Sequence, residues 1–281
     1  MGYLDLMFCV FNAYLSYTAT MLNIVAIYAI RKTSSLSKNL KTLLLSQAVS
    51  DLGVGLLVQP MVVAEVISPK QNNEAKRVAR LIPTNLFIFA TLFRVTALCA
   101  DRFFAIYLHL RYQELVKYKS VAAAVVFIWI FSALISLMSL FISKKIMNVI
   151  FVVIVTVSIT TTTPMSVKLY LTTLRHINQI RVTQVALNSQ VESLQRKRKS
   201  AMASLFLYFA TIVCCLPHIC RLFITAAISE PGVYVQYFRF YALTLVFLNS
   251  TLNPLIYCWK MKQIRNTVIG KLREVFSSIF L

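Results

Sequence analysis

The chain has 281 residues, 58% of them hydrophobic and only 14% charged, with 5 Gly and 7 Pro. That balance excludes an ordinary soluble globular domain. The formal net charge of +20 would suit a nucleic-acid binder, but the basic residues stand between long apolar runs rather than on amphipathic soluble elements, which argues against nucleic acid as a partner.

Seven apolar runs reach the length of about 20 residues that a helix needs to cross a bilayer. They are Tyr3–Ile30, Leu40–Ile67, Arg77–Leu108, Tyr118–Ile142, Val149–Ile177, Ser200–Ile228 and Tyr234–Trp259. The first has no basic n-region, carries Asp5 and is longer than a signal-peptide core, so it is expected to span rather than be cleaved. The expected fold class is all-α: one seven-transmembrane helix bundle over residues 1–281, since helices satisfy their own backbone in hydrocarbon. Beyond Trp259, residues Ile264, Val268, Leu272, Val275, Phe276 and Ile279 recur at three- and four-residue spacing, with Lys262, Arg265, Lys271 and Arg273 between them. That pattern predicts a short amphipathic eighth helix over 259–281, lying on the lipid surface.

The short loops fix an expected orientation. Of the 29 Lys and Arg, 19 fall around the first, third and fifth connections and the tail. The opposite side holds Lys70, Lys76, Arg77, Arg80, Lys144 and Lys145. The excess turns the tail to the cytosol and the N-terminus outward, in the plasma membrane. Cys9, Cys99, Cys214, Cys215, Cys220 and Cys258 all lie in apolar runs, where a thiol is a small apolar filler, and no outer-loop disulfide is expected. His109, His176 and His218 are scattered. No Ser/His/Asp group, metal-ligand spacing or P-loop suggests an enzyme.

Polar groups inside these runs are costly without partners. Asp51 stands near the middle of the second run, in "LLLSQAVSDLGVGLLVQP". Asn23 in the first run, Thr91 in the third, and Asn249 and Asn253 in the seventh are its candidate partners. Asn249 and Asn253 are four apart and share a helical face. Such oxygens could hold a small hard cation, or form a water-bridged packing network. In the outer half, Arg80 and Thr84 are one turn apart, His218 and Arg221 share a face, and Arg239 opens the last run. Together they suit an anion-accepting mouth above an apolar cavity that includes Cys215. Snorkelling of the same cations to headgroups is the alternative.

The motifs in order resemble the rhodopsin-like family of G-protein-coupled receptors. They are Asn23 in "MLNIVAI", Asp51 with Pro60 nine residues on, "ADRFFAI" closing the third run, Trp129, Pro164, Pro217 in "CCLPH", and "NPLIY" at 253–257. The resemblance implies a receptor with no cofactor beyond an allosteric sodium ion at Asp51, Thr91 and Asn249. Its partners would be an extracellular small-molecule ligand, anionic or lipid-like, a heterotrimeric G protein, and the lipid membrane. Arg102 would engage the G protein, restrained by Asp101 and followed by Phe103 in place of the usual Tyr. Asn253, Pro254 and Tyr257 would form a switch with Tyr170.

Four departures bear on this. Arg77 stands where the family's outer Cys would be, and Cys215 where a Trp is common. Lys197 stands near the position of an acid that restrains Arg102, which predicts raised basal signalling. Tyr170 comes six residues after Pro164 rather than eight, where Thr172 stands. The rival readings are a small transporter or channel, which the odd number of spans and the lack of a repeat disfavour, and a receptor-like scaffold that never couples.

Overall fold

The computed structural model describes residues 2–68, 74–108, 111–182, 188–227 and 233–280, without the side chains of 77, 113, 144, 175–182, 188–197, 226, 227, 233, 234, 236, 275, 276 and 278–280. The expectations placed on Lys70, Arg77, Lys144, Lys197, His109, His176, Val275, Phe276 and Ile279 therefore lie outside the described residues.

In chain order the helices are α1 (Tyr3–Lys32), α2 (Lys38–Gly53), a π-helical turn (Val54–Val58), α3 (Gln59–Ile67), α4 (Glu74–Tyr107), α5 (Tyr112–Leu115), α6 (Tyr118–Met138), α7 (Lys144–Val182), α8 (Asn188–Ala227), α9 (Val233–Lys260) and α10 (Lys262–Phe280). Among the described residues, seven helical stretches are long and apolar enough to cross a membrane; α2, the π turn and α3 act as one of them. The chain is thus an all-helical, multi-pass bundle, as its apolar runs predict. The end that carries α5 and α10 is called the inner end.

Two local features position the interior. Pro60 has no N–H, and its ring crowds the carbonyl four residues back, at Leu56. The helix yields there by widening into the π turn, one turn after Asp51. Gly55 in that turn lets α1 come close. A Cβ on it would stand 2.8 Å from Thr20 Oγ1 and 3.2 Å from the Ser16 carbonyl. Ser16 Oγ donates to the Gly55 carbonyl at 2.7 Å, closing the contact.

The bundle is polar inside and apolar outside, as a lipid solvent demands. Phe127, Ile130 and Leu134 of α6 are exposed, while Ser132 and Ser136 are fully buried. At the inner end Leu40, Leu44, Leu98, Leu207, Tyr257 and Ile264 form one apolar cluster. Ile264 belongs to α10, so that helix is anchored to the bundle by its apolar face. Thr33 and Thr267 bridge α1 to α10 at 3.0 Å. At the outer end Phe89, Phe151, Val155 and Leu222 pack together.

Candidate functional site

Asp51 is fully buried near the end of α2. Its Oδ2 accepts from Asn253 Nδ2 at 2.7 Å and from Gln47 Nε2 at 3.1 Å, while Oδ1 has no partner. Pro254, next to Asn253, cannot donate to the carbonyl of Ser250 four residues back. Asn23 Nδ2 fills that role at 3.0 Å, tying α1 to α9. Asn249 Oδ1 accepts from Thr211 Oγ1 at 3.3 Å, tying α9 to α8. Tyr257 is fully buried and its hydroxyl has no partner. The polar residues of "NSTLNPLIY" therefore do not face lipid: Asn249, Ser250 and Asn253 join three neighbouring helices.

A second buried charge lies beside this group. Arg94 of α4 is 1% exposed. Its Nη1 donates to the Ser46 carbonyl at 2.6 Å and its Nη2 to Thr91 Oγ1 at 3.4 Å. The guanidinium stands 5.0 Å from the Trp129 ring centroid, and Trp129 Nε1 donates to Ser46 Oγ at 3.2 Å.

At the inner end Asp101 and Arg102 are both buried. Arg102 Nε donates to Asp101 Oδ2 at 2.9 Å, and Nη2 donates to the same oxygen. Arg102 Nη1 reaches Ser200 Oγ of α8 at 3.3 Å. The Tyr112 hydroxyl of α5 donates to Asp101 Oδ1 and accepts from Asn39 Nδ2 at 3.0 Å. Burial first, then the adjacent Asp101 carboxylate, pushes the Tyr112 phenol up to about 12, so it keeps its proton at neutral pH. Phe103 turns away from this lock and stacks on Tyr107, with centroids 5.4 Å apart.

At the outer end a cavity of about 890 Å³ is lined by Arg80, Thr84, Asn85, His218, Arg221 and Arg239, with Phe89 and Phe151 among its apolar walls. Glu65 of α3 holds two of the cations: its Oε2 is 2.5 Å from Arg80 and 3.4 Å from Arg239. Arg221 Nε, His218 Nδ1 and Asn85 Nδ2 are buried there without partners. The His218 ring packs edge-on to Phe151 at 5.5 Å. The Thr84 hydroxyl is bonded to the Arg80 carbonyl of its own helix at 2.8 Å.

The structure brings most of the sequence-predicted residues into these three groups. Arg80, Thr84, His218, Arg221 and Arg239 share the outer cavity; Cys215 lies deeper, on a cavity of about 400 Å³ that also touches Thr84, Thr91 and Asn249. Tyr170 is brought to none of them. The inward stripe of α7 is Thr162, Ser166, Leu169 and Thr173, and Tyr170, one residue off it, is 45% exposed. Asp51 and Asn253 are hydrogen-bonded to each other, whereas Asn23 is turned to the Ser250 carbonyl, Thr91 to Arg94 and Asn249 to Thr211. Glu65, Asn85, Arg94, Tyr112 and Ser200 were not foreseen. Arg94 alone had a plain sequence signal, a lone charge within "TLFRVTALC" in the middle of a membrane span. All six cysteines are free thiols.

The family model described as 7 transmembrane receptor (rhodopsin family) matches residues 22–257. No curated protein matches the chain. The family match covers most of the chain and runs from the buried asparagine of α1 to the tyrosine that ends the Asn-Pro-x-x-Tyr segment of α9, so this chain belongs to the rhodopsin family of seven-transmembrane receptors.

Proposed function

We propose that the protein receives an anionic extracellular ligand in its outer cavity and activates a heterotrimeric G protein at its cytosolic face. One observation carries the ligand class: Arg221, His218 and Asn85 each keep a buried nitrogen without a partner on one cavity, beside the Glu65-bound Arg80 and Arg239. Buried polar nitrogens are costly unless something accepts from them. A carboxylate or phosphate head supplies such acceptors, and the Phe89 and Phe151 walls suit an apolar body. Ligands of this kind include lipid-like acids and small organic acids.

The inner half of the proposal rests on Arg102. Asp101 and Ser200 restrain its guanidinium in the resting form. Outward movement of α8 breaks the Ser200 bond and frees it for the G protein. Asn253, Pro254 and Tyr257 are the weak turn through which α9 changes partners, with Asp51 as the fixed point. A single neutral hydrogen bond to α8, beside the basic run at Lys197, is a weaker restraint than an ion pair, and raised basal signalling follows. The charge excess in the inner loops supports a cytosolic tail and an outer N-terminus in the plasma membrane.

Nucleotide exchange on purified G proteins, in membranes with and without a panel of carboxylates and phosphates, tests the reading. The expected result is basal exchange above empty membranes, abolished by Arg102→Ala, and a hit whose potency falls about tenfold to a hundredfold in Arg221→Gln. Exchange equal to empty membranes with every G protein and ligand would sink the coupling. A hit from the cationic or neutral controls that ignores Arg221→Gln would sink the ligand class alone.

A further inference from the structure

Arg80 and Arg239 line the outer cavity, and both already hold a carboxylate. Glu65 Oε2 lies 2.5 Å from Arg80 Nη1 and 3.4 Å from Arg239 Nη2. One oxygen thus sits between guanidiniums brought from α4 and α9, as the oxygen of a bound acid would. Glu65 reaches them from behind. Val62, three residues earlier on α3, lines the ligand cavity, whereas Glu65 lines a separate cavity of about 860 Å³ with Met61 and Ala64. Arg80 stands in the wall between the two. We infer that Glu65 is a tethered carboxylate filling a second acid seat, at Arg80 and Arg239, so that the cavity takes ligands with one acidic group and rejects those with two. The inference rests on the reading of the outer cavity as an acid-binding site.

The two seats differ in what they still need. At the first, Arg221 Nε, His218 Nδ1 and Asn85 Nδ2 are buried on the cavity without partners, so an acid head gains bonds there. At the second, Glu65 Oε2 already occupies the place between the guanidiniums. A second acidic group would have to share them with Glu65, and carboxylates crowded onto one site repel each other. To displace Glu65 instead would leave a carboxylate only 17% exposed without its partners. Either cost falls on a diacid and spares a monoacid. Glu65 is therefore a specificity-determining residue that need not touch the ligand. Of its two cations, Arg239 has the longer contact and is the more exposed, at 33% against 18% for Arg80. Arg239 is thus the cation whose removal disturbs the bundle less.

The probes are adipate, which carries two acids, monomethyl adipate, which carries one, and dimethyl adipate as the neutral control. The full chain in lipid nanodiscs is titrated with each at equal ionic strength, and binding is read from the rise in Tm. In wild type the monoester should raise Tm and adipate should bind no tighter. Arg221→Gln should lose the response. Glu65→Gln/Arg221→Gln opens the second seat, so the monoester should bind it about tenfold tighter than it binds Arg221→Gln. Adding Arg239→Gln to that pair should abolish the gain. A folded Glu65→Gln/Arg221→Gln that answers the monoester no better than Arg221→Gln would overturn the inference. So would a wild type that prefers adipate to its monoester by about tenfold. A gain in Glu65→Gln/Arg221→Gln beside a wild type that ignores the monoester leaves the filled seat standing and sinks the acid head at Arg221. Should loss of Glu65 prevent folding, Glu65→Gln/Arg239→Gln decides: recovery of the fold supports the filled seat, and no recovery overturns it.

Discussion

Tyr112 shows how much one side chain outside the spans can hold. Its hydroxyl joins α5 to Asp101 and, through Asn39, to α2. Asp101 in turn fixes Arg102, so removing one oxygen loosens the whole inner lock. A hydrogen bond to a charged group contributes about 1.5–3 kcal/mol. If that favours the resting form, Tyr112→Phe should raise basal nucleotide exchange about tenfold, with ligand binding unchanged. The phenol is raised to about 12 from its ordinary value, so its contribution is present below about pH 10 and is lost as pH climbs through the folded value. The ratio between Tyr112→Phe and wild type should therefore stay flat between about pH 6 and pH 9. A ratio that collapses within that window would mean that another group controls the lock.

At the scale of the helix, the second span depends on a defect. Pro60 forces the π turn, and Gly55 within it gives α1 room to approach. Gly55→Ala would push its Cβ to 2.8 Å from Thr20 Oγ1 and 3.1 Å from the Thr20 backbone nitrogen. Backbone cannot yield as a flexible side chain does, and overpacking of this kind costs about 1–3 kcal/mol. Gly270 in α10 meets nothing within 4 Å, so Gly270→Ala should be neutral or stabilise its helix by up to about 1 kcal/mol. In thermal melts of the two purified variants, Gly55→Ala should fall several degrees below wild type and Gly270→Ala should match or slightly exceed it. Equal melting temperatures would show that the α1 contact is looser than its geometry implies.

For the molecule as a whole, the solvent is lipid, and that inverts the usual arrangement. Asp51, Arg94, Asp101 and Arg102 lie inside, while Phe127, Phe141 and Leu134 are exposed. Charge then sets direction. With the basic excess on one side, a tag after Leu281 should be reached by antibody only after cells are permeabilised, and a tag before Met1 on intact cells. Staining of the C-terminal tag on intact cells would reverse the topology and, with it, the assignment of Arg102 to the cytosolic face.

Length and apolarity determined the seven spans, because crossing hydrocarbon as a helix requires only enough consecutive apolar residues, whatever their partners. Ile264, Val268 and Leu272 likewise announced α10 through spacing alone, and Pro254 announced a backbone carbonyl in need of a donor. That Asn23 is the donor could be narrowed from sequence but not decided, since the two residues are 231 positions apart. Tertiary packing alone decided which face of α7 turns inward, and a single residue's rotation moved Tyr170 to the outside. It alone joined Glu65 to Arg80 and Arg239, and left Arg221 on the cavity without an acid. Charges pair according to distance in three dimensions, and helix rotation and tilt set that distance through contacts spread over the whole bundle, which no local stretch of sequence records.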